Sequence, residues 1–114
     1  MKAILCKSYG PPENLVLEEV EDLKPGEGEA LVEVYAAALN FPDTLQITGK
    51  YQYQPPFPFI PGSEAGGIIK EVAPNVKGVD TGDRVMANAG IGAMAEQVCV
   101  PFWRLRKIPD SMSF

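Results

Sequence analysis

The chain has no histidine and only two cysteines, Cys6 and Cys99, in 114 residues. A zinc site of the usual kind needs clustered imidazoles and thiolates, so it cannot be built from this set. The two cysteines stand far apart in sequence. With no secretory signature they read as buried free thiols rather than a bridge, and a cytoplasmic location is expected. No apolar run approaches the ~20 residues that a membrane helix requires. The start, Met1-Lys2-Ala3-Ile4-Leu5-Cys6-Lys7, has a short apolar core closed by a lysine and reads as a strand, not a signal peptide. Basic clusters are also missing, and the formal net charge is −5. Nucleic-acid and anionic-membrane partners are therefore not expected. There is no internal repeat and no low-complexity tract.

What the chain has is ordinary globular content, 46% hydrophobic and 22% charged, at a length suited to one domain. Eleven glycines and eleven prolines cut it into short pieces, which suits an all-β domain. Strands are predicted over Ala3–Cys6, Leu15–Val20, Ala30–Leu39, Gly67–Ala73, Arg84–Ala87, Ala95–Val100 and Leu105–Ile108. The longest of them alternates through Val32, Glu33 and Val34. Pro42-Asp43 can open a short helical turn, with Asp43 near its positive end. Residues 52–61 carry four prolines, Pro55, Pro56, Pro58 and Pro61, and cannot pair as a central strand. Seven or so short strands at this spacing indicate a barrel or a sandwich, and spacing alone leaves that choice open.

Several motifs carry chemistry or imitate it. Pro61-Gly62-Ser63-Glu64-Ala65-Gly66-Gly67 reads directly as a tight turn into a strand, where glycines permit close backbone approach. Asn40-Phe41-Pro42-Asp43-Thr44-Leu45 reads either as a strand-to-helix corner or as a cleft-lining loop. Gly90-Ile91-Gly92-Ala93-Met94-Ala95 fits the G-x-G-x-x-A dinucleotide pattern but is followed by a strand-like alternation. Twenty residues beyond Gly92 stands Met112 rather than an acid, so phosphate binding is not expected there. Gly82-Asp83-Arg84-Val85 reads as a structural turn whose charged pair either forms a salt bridge or caps backbone. Tyr51, Tyr53, Phe57 and Phe59 are interleaved with proline; they either pack the loop or line an apolar pocket. Phe102 and Trp103 are expected to pack.

In this order and combination, the Asn40–Leu45 segment, the Gly62–Gly67 segment and Gly82-Asp83-Arg84-Val85 resemble the front of a medium-chain dehydrogenase/reductase, on the zinc-free quinone oxidoreductase branch. The resemblance implies a mainly β fold, a GroES-like, partly open β-barrel with one or two short helical turns. It implies that residues 1–114 are the N-terminal, substrate-side domain, with the nucleotide-binding Rossmann domain outside this chain. The implied reaction is hydride transfer from NADPH to a quinone or an activated alkene, by the whole enzyme rather than by these residues alone. Zinc-dependent relatives carry a histidine at the position of Ser63 and a cysteine at that of Asn40; neither is present, so no metal is implied. The implied cofactor contacts are Asn40, Asp43 and Ser63, and the implied substrate contacts Phe41, Leu45 and Tyr51. No catalytic residue is assignable. Family members often have tyrosine where this chain has Leu45, which makes its pocket more apolar. In the family a later segment completes the barrel, so an unfinished edge and homo-oligomerisation are expected. Two other readings stand beside this one: a stand-alone β-barrel binding module without enzymatic activity, and part of an alcohol dehydrogenase, which Ser63 and Asn40 disfavour.

Overall fold

The computed structural model describes all residues, Met1–Phe114. Seven strands form in the predicted order: β1 (Lys2–Leu5), β2 (Val16–Glu19), β3 (Glu29–Ala38), β4 (Glu64–Val72), β5 (Arg84–Asn88), β6 (Gln97–Pro101) and β7 (Leu105–Lys107). One helix, α1 (Phe41–Ile47), follows β3, and short 3-10 turns span Pro12–Asn14 and Phe102–Arg104. Every strand pairing is antiparallel. β1 and β2 make a two-stranded ribbon, and the other five make a sheet in the order β6-β3-β4-β5-β7. The ribbon is fastened to the connection before β6 by Ile4 N–H to the Met94 carbonyl (2.9 Å) and Glu96 N–H to the Lys2 carbonyl (3.0 Å). Both sheets stay open rather than closing, which is the partly open, GroES-like barrel that the resemblance implies.

β3 is the axis of the fold because it is paired on both sides, with β4 and with β6. Ala30 and Val32 point inward and meet Ile69, Val85, Ala87, Val98, Val100 and Leu105 in one buried cluster. β6 covers β3 only from Glu29 to Glu33, so beyond that point β3 has β4 on one side and an open edge on the other. The β3–β4 register slips between Val34 and Ala36, at Tyr35. Such a bulge swaps which residues face which side. Here it pairs Ala36 with Gly66 and Ala38 with Glu64, both on the open face, while Ala37 pairs with the buried Ala65. A second, smaller core holds Cys6, Ile47 and Phe59.

Two predicted features differ in detail. β4 begins at Glu64, ahead of the predicted Gly67, so Ala65-Gly66-Gly67 lies inside the strand instead of leading into it. The glycine pair reads as a breaker because its reason is tertiary: a Cβ on Gly67 would stand 2.0 Å from the Glu33 carbonyl oxygen on β3. Of Phe102 and Trp103, only the first is half-buried. Trp103 is 60% exposed, turned edge-on to Phe102 with ring centroids 5.2 Å apart.

The charged pair of Gly82-Asp83-Arg84-Val85 caps backbone, and its members do not bond each other. The Asp83 carboxylate accepts the Asp80 N–H at 2.8 Å and meets Lys107 at 3.3 Å. Arg84 donates to the carbonyls of Pro109 (3.1 Å), Asp110 (3.2 Å) and Met112 (2.6 Å), and its guanidinium lies 4.4 Å from the centroid of the Phe114 ring. The Gly90–Ala95 segment opens no helix. It is a loop whose Ala93 and Met94 N–H groups bond the carbonyls of Gly62 and Pro61, both at 3.0 Å, and it leads into β6.

Both thiols are free. Burial pushes the Cys6 thiol up from its ordinary pKa. Burial, reinforced by Glu29 and Glu71, pushes Cys99 to about 11. A raised thiol pKa favours the neutral form, and only the thiolate attacks electrophiles. At pH 8 the thiolate fraction at Cys99 is then about 0.1%. Iodoacetamide at that pH should leave Cys99 unmodified over a time that fully alkylates a small free thiol, and alkylation should rise steeply toward pH 10. Mass spectrometry of the treated chain checks this; full labelling within minutes at pH 8 contradicts it.

Candidate functional site

The candidate site forms where β3 ends, β4 begins and β5 ends. Asn40 follows the last residues of β3 with extended backbone (φ −124°, ψ 159°) and serves as N-cap of α1. Pro42 in the first turn supplies a φ already suited to the helix. The carboxylate of Asp43, only 6% exposed, accepts the Asn40 N–H at 2.9 Å, and the Asp43 N–H bonds the Asn40 carbonyl at 3.0 Å. The two residues thus close a capping box that sets the entry angle of the helix. Asn40 then reaches sideways: its Nδ2 donates to Oε2 of Glu64 at 3.0 Å, joining the end of β3 to the start of β4.

Of the residues implied by the resemblance, the structure brings Asn40 and Asp43 into direct contact and sets Ser63 one residue from Asn40's partner. Asp43 is buried, and its carboxylate orders the corner through the Asn40 N–H. Ser63 is half-buried and its carbonyl accepts the Ala89 N–H at 2.7 Å. Phe41 is 73% exposed at the first position of α1. Leu45 and Tyr51 are half-buried. None of Asn40, Phe41, Asp43, Leu45, Tyr51 and Ser63 lines the apolar groove or the proline-rich cleft of this domain. The remaining aromatic residues divide: Phe57 stacks on Phe59 (5.8 Å between centroids) and meets Tyr9 edge-on (4.7 Å). Phe59 and Tyr53 also line a cleft of about 420 Å³ with Leu23, Pro56 and Ile91. This cluster therefore both packs the loop and shapes a pocket.

Glu64 was not singled out from the sequence, yet it is the acid at this corner. It stands opposite Ala38 and Asn88 and lines an apolar groove of about 670 Å³ on the open face of the sheet. The groove floor is formed by Ala36, Ala38 and Gly66, and its walls by Met86, Trp103 and Phe114. The signal for Glu64 was its position immediately after Ser63. It was lost because an acid beside glycines reads as a turn. No three His, Cys, Asp or Glu side chains converge anywhere in the structure as a metal-binding group would need.

This architecture is that of a known domain. Residues 26–110 match the alcohol dehydrogenase GroES-like domain family, and the chain belongs to that family and with it to the medium-chain dehydrogenase/reductase superfamily. It is 40% identical to a quinone oxidoreductase-like protein 2 homolog of Nematostella vectensis, over 99% of this chain and 31% of that protein. It is 39% identical to a synaptic vesicle membrane protein VAT-1 homolog-like of Mus musculus, over 100% of this chain and 27% of that protein. Among solved structures, Escherichia coli quinone oxidoreductase complexed with NADPH superposes with a TM-score of 0.95 at 32% identity, covering 100% of this chain and 35% of that one. The chain spans about a third or less of the length of the curated relatives it matches. No helix is long and apolar enough to cross a membrane.

Proposed function

We propose that this chain is the substrate-side domain of an NADPH-dependent reductase of quinones or activated carbon–carbon double bonds, with the nucleotide-binding domain supplied by polypeptide outside it. The observation that carries the reading is the bond from Asn40 to Glu64, which lines an apolar groove, in a domain that superposes on an NADPH-bound quinone oxidoreductase. The nicotinamide supplies a hydride when bound, and the acceptor takes its proton from solvent. The residues here hold and orient the reactants and keep the reacting face dry. Asn40, buttressed by Asp43 and fixed by Glu64, positions the nicotinamide end of the cofactor, with Ser63 beside it. Phe41, Leu45 and Tyr51 give an apolar boundary on the substrate side. The open edge of β3 beyond Glu33 favours self-association in the same reading.

Two measurements on the chain test this. Metal analysis after dialysis should find no stoichiometric zinc, because no histidine and only two separated thiols are on offer; one zinc per chain refutes it. Calorimetric titration with NADPH should give a dissociation constant of roughly millimolar or weaker, about −4 kcal/mol, if most cofactor contacts lie outside this domain. Micromolar binding refutes that division of labour.

A further inference from the structure

All three arginines of this acidic chain, Arg84, Arg104 and Arg106, gather on the open face of the five-stranded sheet. None has an ion-pair partner, although the chain carries 15 acidic residues. Arg84 is consumed by three backbone carbonyls and the Phe114 ring. Arg106 donates through one nitrogen to the carbonyls of Trp103 and Leu105. Arg104 donates no hydrogen bond. Arg104 and Arg106 line the apolar groove, where the single acid is Glu64, already held by Asn40.

The strand register gives the layout. Gly66 of β4 stands opposite Met86 of β5, and Met86 opposite Arg106 of β7. Two strand steps separate Gly66 from Arg106, about 10 Å. Directly opposed residues share a face, so the floor of Ala36 and Gly66 runs through Met86 to a cationic rim. The groove thus has an apolar bed, an aromatic wall in Trp103, and unpaired positive charge at one end.

We propose that this groove binds small ligands with a flat apolar body and one anionic end. The body lies over Ala36, Gly66 and Met86 beside Trp103, and the anion meets Arg104 with the free face of Arg106. Binding there needs nothing from the proposed reductase activity. The consequence for substrate choice, a preference for acceptors that carry an acidic tail, rests on that reading.

The test uses the 114-residue chain and two probes of one shape, 2-naphthoate and 2-naphthamide, titrated by amide NMR. Shifts should concentrate at Gly66, Met86 and Arg106. Naphthoate should bind about tenfold more tightly than the neutral amide, the range of one charge-assisted hydrogen bond at a partly exposed site. The preference should shrink at 0.5 M salt. Arg104→Gln should bring the two probes to within roughly threefold of each other, and Arg104→Lys should restore part of the difference. Arg104 supports no backbone group, so these variants should keep the wild-type spectrum elsewhere. Equal affinity for the two probes, an unchanged preference in Arg104→Gln, shifts centred on the Tyr53–Phe59 cleft, or no binding of either probe overturns the proposal. Failure there leaves the zinc and NADPH measurements untouched, so the two readings fall separately.

Discussion

Gly67→Ala is expected to abolish folding of this chain or cost more than about 3 kcal/mol of stability, a large part of the 5–15 kcal/mol typical of a domain. The new Cβ would stand 2.0 Å from the Glu33 carbonyl oxygen, 3.0 Å from its carbon and 2.9 Å from Cγ1 of Val32. The first two atoms are backbone in the central strand, bonded on both sides into the sheet, so neither can move without breaking the β3–β4 or β3–β6 ladder. Val32 is fully buried and cannot swing away. Gly66→Ala is the control. There the nearest atom is a ring carbon of Phe114 at 3.3 Å, part of a side chain rather than of the sheet backbone, which can shift by the few tenths of an ångström required. That variant should lose under about 1 kcal/mol. Urea unfolding followed by circular dichroism separates them. If Gly67→Ala unfolds at the wild-type midpoint, the close approach of β3 and β4 is wrong.

That contrast also marks what a sequence can disclose. The alternation of Val32, Glu33 and Val34 states a strand by itself, because the side-chain period is a property of the backbone. The prolines at 55, 56, 58 and 61 likewise exclude pairing locally. The strand boundaries at Glu64 and Val72 were less legible, since Gly67 owes its presence to β3, which is remote in sequence. The candidate site divides the same way. Pro42 and Asp43 announce the helix start through local chemistry, and α1 begins beside them. The Asn40–Glu64 bond spans 24 residues, and no local pattern couples those positions. The arginine-rimmed groove was invisible for a further reason. Its floor exists only because a bulge at Tyr35 turns Ala36 and Ala38 outward, and a one-residue register shift leaves no trace in composition.

Asn40→Ala, in the longer protein that contains this domain, is expected to slow quinone reduction by roughly 5- to 100-fold while the fold survives. The substitution removes the amide that bonds Glu64 and keeps the backbone N–H and carbonyl through which Asn40 meets Asp43. Loss of one side-chain hydrogen bond costs about 1 kcal/mol of stability, well within what a domain tolerates. The rate effect has another origin. Asn40 cannot accept a hydride, so its share is positioning, and a lost positioning hydrogen bond is worth about 1 kcal/mol if neutral and 1.5–3 if charged. The bond to Glu64 is of the charged kind, which places the expectation toward the upper end. Glu64→Ala should then mimic Asn40→Ala in rate, since each deletes the same bond, and the double variant should be little worse than either alone. Leu45→Tyr should be tolerated, because Leu45 is only half-buried and ends no hydrogen-bond chain through its side chain. Steady-state kinetics with NADPH and a quinone, with circular dichroism to confirm folding, decide the matter. Wild-type turnover and unchanged Michaelis constants in Asn40→Ala would make the corner a structural joint only, and the functional weight would move from Asn40 to the groove beside it.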